Sequence, residues 1–231
     1  MHRIKTIAFD ADDTLWVNEP HFQDVEARFC EIMEDYLSQH HVSQELFKTE
    51  MSNLALYGFG VKSFMLSMIE TSIRISDGTI GLKAIERILT LGKELLDKPI
   101  ELLEGVTEVL NKLYSHYKLV VATKGDLLDQ ERKLEKSKLG RFFHHVEIMS
   151  DKKESDYLKL IKRLDIEPES FLMIGNSIKS DIIPVLNIGG TAIHVPFHTT
   201  WVHEHVEHEI KHEHFVAIDK ITELLPILNL C

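Results

Sequence analysis

The sequence predicts an α/β protein, a parallel sheet with helices on both faces, interrupted by an all-helical insert. Three observations carry this reading. A short β-branched run, Ile4 to Phe9, comes early; helical spacing without a convincing strand then extends from about Glu19 to Lys98; and after Pro99 strands and helices alternate. Alternation at this length implies βαβ units and hence a parallel sheet.

Taken in order, "IKTIAF" suits a strand buried on both faces, which places Asp10 at its carboxyl end. In the next stretch Phe22, Val25, Phe29, Ile32, Met33 and Tyr36 recur every three or four residues, the spacing of an amphipathic helix. Gly58 and Gly60 in "LYGFGVK" and the turn-like "SDGT" (Ser76 to Thr79) divide the stretch into four or so helices. Beyond Pro99, "GVTEVLNKLYSH" reads as helix, "KLVVAT" as buried strand and "LLDQERKLEKS" as charged amphipathic helix. "HVEIMS" is a weaker strand, "ESDYLKLIKRL" a helix, "SFLMIG" a strand, "IKSDIIPVLNI" a helix and "GTAIHV" a strand. The expected division is a core of residues 1–16 and 100–231 with a helical insert at 17–99.

Composition narrows the partners. The chain has 231 residues, 44% of them hydrophobic and 27% charged, enough for a sizeable core. A formal net charge of -11 argues against nucleic acid or an anionic membrane as partner, so attraction to an anionic ligand must be local. Cys30 and Cys231 are the two cysteines and do not make a disulfide framework. With no apolar leader after "MHRIK" and no stretch of membrane-spanning length, a cytoplasmic protein is expected, monomeric or weakly dimeric.

In a parallel sheet ligands bind beyond the carboxyl ends of the strands. Asp10, Thr123, Ser150 and Gly175–Asn176 all fall there. Asp10, Asp12 and Asp13 crowd three carboxylates into four residues, a repulsion that a hard cation such as Mg²⁺ would offset with oxygen ligands. Asp10 and Asp12, two apart on an extended segment, project the same way.

These residues resemble the motifs of the haloacid dehalogenase superfamily of hydrolases. Its Asp-x-Asp-x-Thr stands here as Asp10-Ala11-Asp12-Asp13-Thr14; its strand-end Ser/Thr as Thr123; its Lys opening a helix as Lys152; and its Gly-Asp-x-x-x-x-Asp loop as Gly175-Asn176-Ser177-Ile178-Lys179-Ser180-Asp181. A lone Asp-x-Asp is weak, but four motifs in register across the chain are specific. The resemblance implies a Rossmann-like three-layer α/β/α core and identifies the insert as a type-1 helical cap that selects the substrate. It implies Asp10 as nucleophile, Asp12 as general acid and base, Thr123 and Lys152 as holders of the phosphoryl oxygens, and Mg²⁺ held by Asp10, Asp12 through its main-chain carbonyl, Asp181 and Asn176. Substrate contacts would come from Thr14, Thr123, Lys124 and Lys152, with Tyr57 and Lys62 contributed by the cap. The implied activity is Mg²⁺-dependent hydrolysis of a small phosphorylated metabolite through an aspartyl-phosphate. A sugar-phosphate mutase or other phosphotransferase, or a weakly catalytic phospho-ligand-binding protein, are the alternatives.

Asp12 bears on the branch of the family, because a halide leaving group needs no proton donor two residues after the nucleophile. Two positions depart from the pattern: Asp13 stands where Gly is common, in a turn Asp tolerates, and Asn176 replaces an Asp, which removes one negative charge. Lys153 adjoins Lys152 and is the alternative lysine. The histidines between His198 and His214 alternate with Glu, and His208 and His212 share i, i+4 spacing. This segment reads as a polar surface helix in preference to a metal site.

Overall fold

A computed structural model describes residues 4–206 and 209–230. The chain divides into two compact units, one comprising Met1–Glu19, Ile100–Lys124 and Lys133–Cys231, the other Pro20–Pro99 with Gly125–Arg132.

The first unit is a Rossmann-like α/β structure. Its strands are β1 (Thr6–Phe9), β2 (Lys118–Lys124), β3 (His145–Met149), β4 (Phe171–Gly175), β5 (Thr191–His194) and β6 (Phe215–Ala217), in the order β3-β2-β1-β4-β5-β6. Every neighbouring pair is parallel. The apolar runs are continuous because both faces of the sheet are covered. Ile7, Phe9, Leu119, Val121, Leu172 and Ile174 point into one core with α5 (Val106–Leu113) and α9 (Leu224–Ile227). The intervening Ala8, Val120, Ala122 and Met173 point into another with α7 (Glu154–Leu164) and α8 (Ile183–Asn187).

The second unit contains α2 (Gln39–Tyr57), α3 (Val61–Ile75) and α4 (Leu82–Asp97), and all but the first residue of α1 (Glu19–Ile32). These surround a core of their own, with Phe29, Met33, Leu46, Phe64, Met68, Ile88 and Leu91 buried. Gly58 and Gly60 take φ of 70° and 107° between α2 and α3, a left-handed backbone that favours glycine. A polar seam joins the two helices, where Thr71 donates to Thr49 and Asn53 to Ser67, at 2.9 and 3.1 Å. No described helix is long and apolar enough to cross a membrane.

Two segments differ from the sequence reading. "IKSDIIPVLNI" does not start as an α-helix: Ile178–Ile182 is one π-helical turn, and α8 follows it. The described residues of the histidine-rich segment form no surface helix. Among its described residues there is a 3₁₀ turn at Val202–Glu204, and irregular backbone then leads into β6. Tertiary contacts take the place of the helical ladder, since the His203 carbonyl accepts from Lys179 Nζ at 2.8 Å and His205 Nε2 lies 3.2 Å from the Thr200 carbonyl. His208, half of the i, i+4 pair, lies outside the described residues.

Candidate active site

Four neighbouring strands, β3, β2, β1 and β4, end on one edge of the sheet, and the polar side chains gather there. The Asp10 amide donates to the Ile174 carbonyl at 2.9 Å, fixing the exit of β1 beside that of β4. The chain then turns through Ala11–Trp16, with the amides of Thr14, Leu15 and Trp16 all directed at the Ala11 carbonyl. Asp13 takes a positive φ of 59° in this turn. Its carboxylate accepts from the amides of Asn18 at 2.8 Å and Glu19 at 2.9 Å, satisfying backbone donors at the start of α1. Burial pushes the Asp13 carboxyl up to about 7 despite those two amides.

The centre of the site is Lys152. Its side chain is 2% exposed, and its ammonium forms ion pairs with Asp10 Oδ1 and, at 2.6 Å, with Asp181 Oδ1. Burial alone would lower its pKa, but the charges and hydrogen bonds of Asp10 and Asp181 outweigh that and hold it above the ordinary value. Lys153 points elsewhere: its ammonium pairs with Asp151 at 2.9 Å and its side chain is 71% exposed. Tyr157, one turn into α7, donates its hydroxyl to the Ser180 carbonyl at 3.0 Å and packs against Phe171, tying α7 to the loop that carries Asp181.

That loop is closed on itself. The Asp181 amide donates to the Ser177 carbonyl at 2.9 Å and the Ser177 amide to Asp181 Oδ2 at 3.0 Å. Gly175 makes room for it, because a Cβ there would overlap the Asp181 carboxylate. Thr14 bridges from the first turn: its hydroxyl lies 3.4 Å from Asp10 Oδ2 and 3.2 Å from Asn176 Oδ1 and accepts from the Asn176 amide at 3.1 Å. Thr123 is buried at the end of β2, its hydroxyl 3.3 Å from the Lys124 carbonyl.

Asp12 is held separately. Its Oδ1 accepts from Trp16 Nε1 at 2.7 Å and from Lys133 Nζ at 3.0 Å, and the same ammonium reaches Asn18 Oδ1 at 2.7 Å. Lys133, on α6 (Leu127–Ser137), was not legible in the sequence, because a lone lysine in a charged helix carries no local signal. Glu204 was not legible either, because the alternating His and Glu around it imitate a solvated helical face. It is largely buried and accepts from Lys124 Nζ at 2.6 Å, from Ser180 Oγ at 2.6 Å and from Ser177 Oγ. Lys124, expected to meet substrate, is therefore engaged by Glu204 and by Ser180 Oγ at 2.9 Å. Tyr57 and Lys62 belong to the helical unit, where the Tyr57 hydroxyl donates to Glu70 at 3.0 Å and Lys62 pairs with Asp126 at 2.9 Å.

The donor set fits a hard divalent cation. Two buried carboxylates, Asp10 and Asp181, face one ammonium, which leaves a negative charge uncompensated in a dry place. Burial, reinforced by Asp181 and Asp12, drives the Asp10 carboxyl well above the ordinary carboxylate range even against Lys152. Oxygen ligands in a set this acidic suit Mg²⁺ better than a softer metal. Among the described residues no three acidic, histidine or cysteine side chains converge as a metal cluster. Asp10 and Asp181 supply two carboxylates, and Asn176, tied to Asp10 through the Thr14 hydroxyl, adds an amide oxygen beside them.

The comparisons with known proteins concern the family. A family model described as "Hydrolase: haloacid dehalogenase-like hydrolase" matches residues 4–189. Among solved structures, a haloacid dehalogenase-like family hydrolase from Xanthomonas campestris is 34% identical, with a TM-score of 0.89 over 98% of this chain and 91% of that one. A HAD phosphatase from Thermococcus onnurineus is 19% identical, with a TM-score of 0.66 over 97% and 98% of the two chains. A 2-haloacid dehalogenase from Pseudomonas syringae is 16% identical, with a TM-score of 0.67 over 98% of each. Among curated proteins, none matches this chain.

Proposed function

Because this chain belongs to the haloacid dehalogenase-like hydrolase family, we propose that it is a Mg²⁺-dependent phosphohydrolase cleaving a small phosphomonoester through an aspartyl-phosphate on Asp10. Relatives of equal structural likeness include both a phosphatase and a dehalogenase, so the reaction has to be argued from the site. The observation that carries the reading is Asp12, a second carboxylate two residues after Asp10 and held apart from the Lys152 cluster by Trp16 and Lys133. Displacement at carbon by Asp10 with halide leaving needs no proton donor. Release of an alkoxide from phosphorus does.

A carboxylate oxygen of Asp10 attacks phosphorus, the bond to the ester oxygen breaks, and the Asp12 carboxyl gives that oxygen its proton. Asp12, now ionised, takes a proton from the water that attacks phosphorus in the second step, and Asp10 is released. Thr123 and Lys152 hold the phosphoryl oxygens as charge develops on them. Asp10, Asp181, Asn176 and the Asp12 main-chain carbonyl would hold Mg²⁺, which would supply positive charge for those oxygens. Thr14 keeps Asp10 and Asn176 in register through its hydroxyl.

The test is phosphate release from p-nitrophenyl phosphate and a panel of small phosphomonoesters, with Mg²⁺ or with EDTA, for the wild type and Asp10→Asn. Release that needs the metal and disappears in the variant is expected. Release that persists in Asp10→Asn contradicts the mechanism, and exchange between two sugar phosphates without free phosphate would reassign the protein as a transferase.

A further inference from the structure

Outside the four motifs, Glu204, in the 3₁₀ turn after β5, is a largely buried carboxylate with three side-chain partners. One carboxylate oxygen accepts from Lys124 Nζ at 2.6 Å. The other accepts from both Ser177 Oγ and Ser180 Oγ, the latter at 2.6 Å. Lys124 closes the ring by donating to Ser180 Oγ at 2.9 Å, and its side chain is 15% exposed against 11% for Glu204. The turn is held to the same loop a second time, through Lys179 Nζ to the His203 carbonyl at 2.8 Å. His194 at the end of β5 adds a third tie, its Nε2 2.9 Å from the Asn176 carbonyl.

The hydroxyls that Glu204 grips are not incidental to the loop. Ser177 Oγ accepts from the Ser180 amide at 3.0 Å, while the Ser177 amide and carbonyl are the groups that close on Asp181. A carboxylate that holds Ser177 and Ser180 at once therefore fixes the spacing of the turn on which Asp181 is carried. From Ile178 to Ile182 the chain makes a π-helical turn, a geometry frequent at functional sites. Buried ion pairs and charge-assisted hydrogen bonds are geometrically exacting, which is what an outer-shell support of a metal ligand requires.

We propose that Glu204 is a positioning residue: with Lys124 as its counter-ion it clasps Ser177 and Ser180 and so sets the Asn176–Asp181 loop for Mg²⁺. The proposal rests on the reading that Asp181 and Asn176 hold the metal. It also gives Lys124 a role different from direct substrate contact, since its ammonium is committed to the clasp.

The experiment is binding of Mn²⁺, as a paramagnetic stand-in competed off by Mg²⁺, to the full chain without substrate, followed by the loss of the free Mn²⁺ resonance. Wild type, Asp181→Asn, Glu204→Ala and Glu204→Gln are compared, with thermal melts alongside. Glu204→Ala is expected to weaken binding by about tenfold, the usual effect of removing an outer-shell support. Glu204→Gln, which keeps one oxygen to accept from both serine hydroxyls and turns its amide toward Lys124, is expected to stay within about threefold of wild type. If Glu204→Ala does not fold, Ser180→Ala takes its place, with weakening of about threefold expected. Affinity in the truncated variant indistinguishable from wild type overturns the proposal. So does Glu204→Gln binding as poorly as Glu204→Ala, which would assign the effect to charge alone. A wild type that binds no Mn²⁺, or an Asp181→Asn that binds as well as wild type, overturns the metal site itself and is thereby told apart from failure of the clasp.

Discussion

Asp10 and Asp12 are two residues apart, yet their side chains enter different surroundings. Asp10 is 10% exposed and shares the ammonium of Lys152, a side chain itself 2% exposed, with a second buried carboxylate, Asp181. Asp12 is 23% exposed and meets Lys133, Trp16 and, through Lys133, Asn18. The first is a dry, over-charged cluster, where the proposed mechanism places the cation and the attacking oxygen. The second is more exposed, where the same mechanism places the acid and base. The turn that begins at Ala11 thus sends the two acids, expected to project the same way, to two different lysines, and in the proposed mechanism this separation of environments is what lets them take two roles.

The comparison is broken most completely at its centre. Asp10→Asn removes the nucleophile, and turnover of p-nitrophenyl phosphate is expected to fall by about 10⁴-fold or more with folding retained. Asp12→Asn should cost about 10²- to 10⁴-fold on alkyl phosphates and less on aryl phosphates, whose leaving oxygen needs less protonation; a panel graded by leaving-group pKa measures this directly. Lys152→Met is expected to lower kcat by about 10²- to 10³-fold. It also leaves Asp10 and Asp181 uncompensated, so its melting temperature without metal should drop and Mg²⁺ should recover more of it than in wild type. Lys133→Met sharpens the contrast: it removes the ammonium from Asp12 without touching Asp10, and about a tenfold loss in kcat with little change in Mn²⁺ affinity is expected.

The smallest effect concerns acid stability. Burial alone would raise the Glu204 carboxyl, but Lys124 and the two serine hydroxyls hold it down at about 2, against an ordinary value of 4.5. A depressed carboxylate stabilises the fold above its unfolded pKa and loses that contribution as pH falls through the folded one. The stability gap between wild type and Glu204→Gln should therefore be constant above about pH 5 and close between 4.5 and 2, as read by urea denaturation at each pH.

What the sequence made legible follows the range of the interactions. β1, β2 and β4 are apolar runs buried on both faces, and their patterns end where the strands end. α6 and α7 coincide with their charged amphipathic stretches. Asp10, Thr14, Lys152, Asn176 and Asp181 come together because each follows a strand on the same edge of the sheet, a placement local pattern reveals. β6 was not read, being three residues after an irregular acidic and histidine-rich stretch, ordered by pairing with β5. The expected helix there failed because alternating His and Glu imitates a solvated helical face, while Glu204 is drawn inward by partners 80, 27 and 24 positions away. Lys133 reaches Asp12 across 121 positions. No window of sequence contains such pairs, so they become visible only in the fold.

The central claim is that Asp10 is the atom donor to phosphorus. Mixing enzyme, Mg²⁺ and substrate, quenching within a turnover and reducing with borohydride converts an acyl phosphate to homoserine, which peptide mass spectrometry locates. Homoserine at position 10, dependent on both substrate and Mg²⁺, is the predicted result. Phosphate release accompanied by an unmodified Asp10, or by modification at another residue, would contradict it.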